Sequence, residues 1–366
     1  MPRTATKQSQ SKFSAWTTEH LKRIPVVEKI LFVHNLQIMI GAGLSLVDAL
    51  KVLAKQVGSA KLRATIVAVQ VQVEQGQQFS EALAHFPKLF PPMYVSMIAA
   101  GETAGKLEGA LTQVSTQMKK SHEMLSKIHG ALIYPAVIMS AMVGIAIEMF
   151  VFVLPKIIVL FKDFGARLPL STRVLVALVT FVENYGLYVL FTVIALIFLL
   201  TWLYRKPAVK RLVHALNLHL PIAGPIIKKI NLATFSLTLS SLLSSTIPII
   251  EAVKIAASVQ SNIIYREHLL TMAEQLKRGE PLSESLEKFP HIFPPMVVQM
   301  IMVGEQSGQV EHMLQELSDY YSAEVDTTMR NFSTIIEPVI IVVLGLAVAG
   351  LAVAVIMPIY SLAESF

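Results

Sequence analysis

The 366-residue chain has no cysteine, few charges (15%) and a hydrophobic share of 54%. The first absence excludes disulfides, thiolate metal sites and cysteine nucleophiles. The second departs from a soluble globular protein, in which about a quarter of residues are charged. No early apolar run of the secretory kind is present, because the chain opens on a polar, basic stretch, MPRTATKQSQSKF, which reads as a disordered tail over 1–27. There is also no run of strand-type alternation.

Complete catalytic and metal-binding motifs are missing as well. GETAGK at 101–106 suggests a phosphate loop, but only three residues separate Gly101 from Gly105, and Leu107 stands where a Mg²⁺-binding hydroxyl is needed. HEMLS at 122–126 starts like a zinc-protease helix and has Ser126 in place of the second histidine. No calcium loop of alternating acids occurs, and no Ser/His/Asp set stands out. The chain is therefore expected to be no enzyme, with no catalytic, cofactor-binding or metal-binding residues and no cofactor.

What the chain does have is long apolar runs. Residues 131–155 carry one charge, Glu148, while 187–204 and 338–363 carry none. Each is close to or above the roughly 20 residues that cross a bilayer as a helix. Tyr185, Tyr188, Trp202 and Tyr204 bracket the middle run as interfacial anchors do.

The chain also repeats itself. FPPMYVSMIAAGETAGKLEGAL (90–111) aligns with FPPMVVQMIMVGEQSGQVEHML (293–314), with 12 of 22 positions identical at an offset of 203. The offset extends without gaps from Gly76/Gly279 to Pro155/Pro358, so that about 32–163 corresponds to about 235–366. Apolar residues recur at helical spacing in both copies, for example Leu62, Ile66, Val69 and Val73 against Tyr265, Leu269, Met272 and Leu276. GAG at 41–43, Gly76 and FPKLFPP at 86–92 punctuate the helices, and Ser45 is placed to cap the helix after GAG.

The expected fold is an all-α membrane protein, with two homologous cytoplasmic helical-bundle domains in tandem and three transmembrane helices. The expected segments are a tail (1–27), a first bundle (28–130), a first span (131–155), an outer loop (156–186), a second span (187–204), a second bundle (205–334) and a third span (335–362). The middle span belongs to neither copy; it returns the chain so that both copies keep one orientation. Eight basic residues on the expected inner flanks (Lys119, Lys120, Lys127, Arg205, Lys206, Lys210, Arg211, Arg330) against four outside (Lys156, Lys162, Arg167, Arg173) favour cytoplasmic bundles.

Several residues are singled out. Glu102 and Glu305, each with its flanking glycines (Gly101, Gly105; Gly304, Gly308), mark a helix-to-helix corner. The carboxylate is expected to cap the helix beginning near Lys106 or Gln309, or else to form a partner-binding edge. Pro135 and Pro338 fall where each last helix meets its apolar run, as kinks of plain helix geometry or as a hinge. Glu148, whose counterpart is Leu351, is expected to face a bundle interior, receiving a cationic group from a membrane-embedded subunit or pairing within an oligomer. Ser140 with Gly144, Gly345 with Ala349, and Gly350 with Ala354 have the spacing of close membrane-helix contacts.

Taken in order, LFVHNLQIMIGAGLSLVDAL, FPPMYVSMIAAGETAGKLEGAL, YPAVI, LPLST, LPIAGPIIKKI and FPPMVVQMIMVGEQSGQVEHML resemble the type II secretion system protein F family, which includes the PilC-type platform proteins of type IV pilus assembly. The resemblance runs from about residue 28 onward and includes both GE-x-x-G signatures. It implies a multi-pass platform in the cell inner membrane, with its C-terminus on the periplasmic side. The implied partners are a cytoplasmic secretion or pilus-assembly ATPase, pilin or pseudopilin subunits, other inner-membrane assembly components, membrane lipid and further copies of itself, with no direct nucleic-acid contact. One departure is SST at 244–246, where copy one has GAG. The copies also differ in charge: 1–130 holds 15 basic and 8 acidic residues, a balance of +7, and 205–334 holds 12 of each. The basic first bundle suits an acidic partner or anionic headgroups. The alternative function is a small secondary transporter or channel-like membrane protein with an internal repeat. Solute uptake in liposomes would favour that alternative, and capture of a hexameric ATPase the platform.

Overall fold

The computed structural model describes residues 24–155, 170–221 and 223–363. The tail residues 1–23 and the first part of the expected outer loop, 156–169, with Lys156, Lys162 and Arg167, lie outside the described residues. Among the described residues the regular structure is helical, with no strand.

Repeat one begins with α1 (Val26–Gly41), α2 (Leu46–Gln56), α3 (Ala60–Glu74), α4 (Phe79–Ala84) and α5 (Pro92–Thr103), and ends in α6 (Leu107–Glu148). A π-helical turn, Met149–Val153, continues α6. Outside the repeats come α7 (Leu170–Tyr204) and α8 (Pro207–His219). Repeat two is α9 (Ala223–Ser244), α10 (Ile249–Val259), α11 (Ile263–Lys277), α12 (Leu282–Glu287), α13 (Pro295–Ser307) and α14 (Val310–Ala363). The starts of α2, α3, α4, α5 and α6 recur in α10 to α14 at the same 203-residue offset.

Local chemistry explains these boundaries. Ser45 Oγ accepts from Asp48 N at 3.2 Å, and Ser59 Oγ from Leu62 N at 3.4 Å, so each satisfies an orphan donor at a helix start. Asn262 does the same for α11, accepting from Ile264 N at 2.9 Å. Pro92 and Pro295 open α5 and α13, where the missing N–H costs nothing. Gly76 and Gly279 end α3 and α11 at φ +87°, a conformation that a side chain opposes. Arg63 reaches over a short connection to the Val57 carbonyl at 2.8 Å, and its counterpart Arg266 to the Gln260 carbonyl at 3.0 Å.

The bundle parts of the two repeats pack together in one compact unit, whose described residues lie within 24–125 and 214–325. In repeat one Leu50, Leu53, Leu62, Ile66, Val69, Leu111 and Val114 are buried, and Phe32 meets Phe90 at 5.9 Å between ring centres. In repeat two Phe293 packs edge-on against Phe235 (5.5 Å) and Tyr265 (5.8 Å). Burying each such side chain contributes about 1.5–3 kcal/mol. Tyr265 replaces Leu62 of the first copy and keeps its hydroxyl satisfied by donating to the Ile292 carbonyl at 3.1 Å.

Burial, reinforced by the nearby Tyr321, pushes the Tyr265 phenol well above its ordinary range. An acid with a raised folded pKa supplies stability that is complete below its unfolded pKa, about 10, and is lost as pH climbs toward the folded value. Stability is therefore expected to fall above pH ~10, and Tyr265→Phe to flatten that fall in chemical denaturation between pH ~9 and ~11. Identical slopes for the two proteins would remove Tyr265 as the cause.

The second unit spans Ser126–Val213 with Asp326–Phe366. Here α7 packs on the π turn, and Leu154 and Val179 are buried. The helix α7 begins at Leu170, inside the stretch expected to be a loop up to 186; no proline lies between 171 and 204 to stop it. Lys206 Nζ sits 4.7 Å from the centre of the Trp202 ring, a cation–π contact at the helix end. Asp326 pairs with Arg330, and Lys127 Nζ lies 3.9 Å from its carboxylate.

Among the described residues four helices are long and apolar enough to cross a membrane: those holding 107–153, 184–204, 223–244 and 310–350. Ala223–Ser244 differs from the rest, since more than half of its apolar window (56%) is buried inside the fold, against 0%, 0% and 6% for the other three. Its hydropathy is that of a core helix, with Leu232, Phe235, Leu239 and Leu242 inside.

Candidate functional site

The two GE-x-x-G corners divide their work among their residues. Glu102, in the last turn of α5, turns its carboxylate onto the start of α4. Oε1 accepts from Phe79 N at 2.6 Å, and Oε2 accepts from Ser80 N at 2.9 Å and Ser80 Oγ at 2.7 Å. Glu305 repeats this on α12, accepting from Leu282 N (2.5 Å), Ser283 N (3.1 Å) and Ser283 Oγ. The residues preceding these helices, Gln78 and Pro281, provide no side-chain cap. A glutamate from a neighbouring helix thus replaces the missing local cap, and a negative charge there also suits the helix dipole.

The expected capping of the helix starting near Lys106 or Gln309 is corrected. The carboxylate instead meets the uncapped helix beside it, more than 20 residues upstream, while the turn itself is closed by Lys106 N donating to the Gly101 carbonyl at 2.7 Å and Gln309 N to the Gly304 carbonyl at 2.8 Å.

The glycines have separate tasks. Gly105 and Gly308 take φ +67° and +71°, the left-handed turn that ends α5 and α13. Gly101 and Gly304 let consecutive helices touch. A Cβ on Gly101 would lie 2.2 Å from Ala110 Cβ, and one on Gly304 would lie 2.9 Å from Val310 Cα.

Beside the first corner the repeats meet. Gln113 of α6 donates to the Ser244 carbonyl at 3.2 Å and accepts from Ser245 Oγ, and Gln117 accepts from Ser241 Oγ at 2.7 Å. Lys120 and Asp319 form an exposed ion pair at 3.2 Å. A cavity of about 200 Å³ remains in the seam, lined by Gly101, Lys106, Gln113 and the 244–246 hydroxyls. Thr246 holds φ +60°, unusual for a β-branched residue, and replaces Gly43 of the first copy (φ +87°). None of the seam's Gln or Ser residues had been picked out by motif. The change from GAG to SST is a trace of the seam in the sequence, since it supplies the Ser245 hydroxyl that Gln113 binds; Ser241, which Gln117 binds, lies before that stretch.

The remaining residues singled out earlier are not brought together. Pro135 lies inside α6 and is buried, Pro338 lies inside α14 and is exposed, and both helices run on through them. Glu148 ends α6, immediately before the π turn, and is exposed on this chain, not turned to an interior. Among the described residues the small-residue pairs show no helix contact: Ser140 donates to its own helix at Ala136 O, and a Cβ on Gly144, Gly345 or Gly350 would meet nothing described within 4 Å. Ala349 is exposed, and the Ala354 side chain lies outside those described. Among the described residues no group of three or more His, Asp or Glu is arranged to hold a metal ion.

Comparison with known proteins matches this repeated architecture. The family model for Type II secretion system (T2SS), protein F, matches twice, at residues 32–155 and 235–358. A Thermus thermophilus protein named type IV pilus assembly protein PilC is 34% identical over 93% of this chain and 85% of its own length. Its Myxococcus xanthus namesake is 32% identical over 91% and 80% respectively. The Vibrio cholerae type II secretion system protein F is 32% identical over 90% and 81%. Each match at 32–155 and 235–358 holds one bundle, one glutamate corner and the helix that continues into an apolar run, so the chain belongs to the type II secretion system protein F family.

Proposed function

We propose that this protein is an inner-membrane platform of a type IV pilus or type II secretion machine, a scaffold with no chemistry of its own. It couples a cytoplasmic assembly ATPase to the insertion and extraction of pilin or pseudopilin subunits. In this reading α6, α7 and α14 cross the membrane, both bundles stand on the cytoplasmic side and the C-terminus is periplasmic. The buried α9 stays within its bundle.

The observation that carries the reading is the continuity of each bundle with its apolar run. At 42 and 54 residues, α6 and α14 are helices of about 63 and 81 Å. A bilayer's hydrocarbon core takes only about 30 Å of each. The rest belongs to the bundles, so a push on a bundle reaches the membrane through one continuous helix, although Pro135 and Pro338 each remove one backbone hydrogen bond on the way. Co-purification also supports a test. Tagged chain extracted in mild detergent is expected to retain the machine's ATPase and its pilin-like subunit, and a deletion strain to lose pili or secretion.

The absence of cysteine makes the topology directly testable. Cysteines introduced at the exposed Lys51 and Glu274 are expected to resist an impermeant maleimide in intact spheroplasts and to react after lysis. Labelling of either one before lysis would refute the cytoplasmic placement.

A further inference from the structure

The seam between the repeats joins unlike surfaces. Repeat one contributes its α5–α6 face, with Ala99 and Ala100 across the groove from Ile247 and Gln117 bonded to Ser241. Repeat two contributes the corner between α9 and α10. Because the repeats are copies, each surface exists twice, and the seam uses one copy of each. Left over are the α13–α14 face of repeat two and the α1–α2 corner of repeat one.

At Ala99, Ala100, Gln117 and Ser241 the used surfaces are small or polar where the leftover ones are apolar; at Ile247 both are apolar. Ala99, Ala100 and Gln117 correspond to Met302, Val303 and Tyr320, which are 37%, 55% and 48% exposed. Ser241 and Ile247 correspond to Ile38 and Leu44, which are 52% and 41% exposed. Solvated faces have no need of such a set.

We propose that these two faces bind each other between chains: the α13–α14 face of one copy seats on the α1–α2 corner of a second copy, in the manner of the seam. Leu44 then faces Val303 as Ile247 faces Ala100 across the groove. The seam's hydrogen bond between Gln113 and Ser245 has no equivalent in this contact, where the counterparts are Glu316 and Ala42, so the contact rests on its apolar residues. Such a contact is heterologous and repeats head to tail until it closes on itself.

Two differently tagged chains, one Leu44→Cys and one Val303→Cys, are co-expressed and oxidised in native membranes. The expected product is a disulfide-linked species of twice the chain mass carrying both tags. Neither variant alone is expected to link to itself. Linkage of Val303→Cys chains to one another would show a symmetric contact and overturn the proposal. In a second measurement, Val303→Glu with Tyr320→Glu is expected to weaken self-association in detergent at least about tenfold, with an unchanged melting temperature. An unaltered mass by native mass spectrometry would mean that another partner covers the face, and would equally overturn the proposal.

Discussion

Glu102→Ala is expected to speed amide exchange across residues 79–84 about a hundredfold in the full-length protein. Three donors end on that carboxylate, and two are amides of a helix only six residues long. A hydrogen bond to a charged group is worth about 1.5–3 kcal/mol, and the amides left bare, on the buried Phe79 and Ser80, recover water only through the space vacated at the half-buried Glu102. A net loss of about 3 kcal/mol follows, which is about two orders of magnitude in local opening. Glu102→Gln loses less but is not silent, because its amide nitrogen turns a donor toward at least one of the three donors. Glu305→Ala should act on residues 282–287 in the same way. Hydrogen exchange read by mass spectrometry decides the matter: protection that survives in 79–84 would mean that the carboxylate does not hold α4.

Gly101→Ala is expected to destabilise the first bundle by about 2–4 kcal/mol, although the same change inside an exposed helix stabilises by about 1 kcal/mol. The new Cβ would sit 2.2 Å from Ala110 Cβ, and α6 can move away only by opening its own packing. Because one methyl accounts for the worst of the overlap, Ala110→Gly in the same chain should recover much of the loss. The Lys106 carbonyl, 3.1 Å from the new Cβ, accounts for what is not recovered. Thermal unfolding of the four proteins of this cycle measures the coupling. A Gly101→Ala protein that melts at or above the parent temperature would remove close helix approach as the reason for this glycine.

The corners and the seam divide cleanly in how far they could be foreseen. Helix existence and the duplication were plain from spacing, because an apolar face must recur every 3.6 residues whatever it packs against. Ser45 as a cap and the glycine turns depend on neighbours within a few residues, so local chemistry sufficed there too. That Glu102 belongs to a helix terminus was inferred from the same local rules, but the choice of helix was not, because Phe79 lies 23 residues away and is beside it only after α4 and α5 have packed. The apolar α9 shows the same boundary: composition alone does not distinguish a helix surrounded by protein from one surrounded by lipid.

By itself, then, the order of residues determined the helices, their twofold repetition and the family, since all three rest on periodicity and on identity at a constant offset. Tertiary structure alone decided which amides Glu102 and Glu305 hold, that α9 is interior, and that the copies join through unlike faces. Those outcomes depend on contacts between segments distant along the chain, which exist only once the helices have closed on one another.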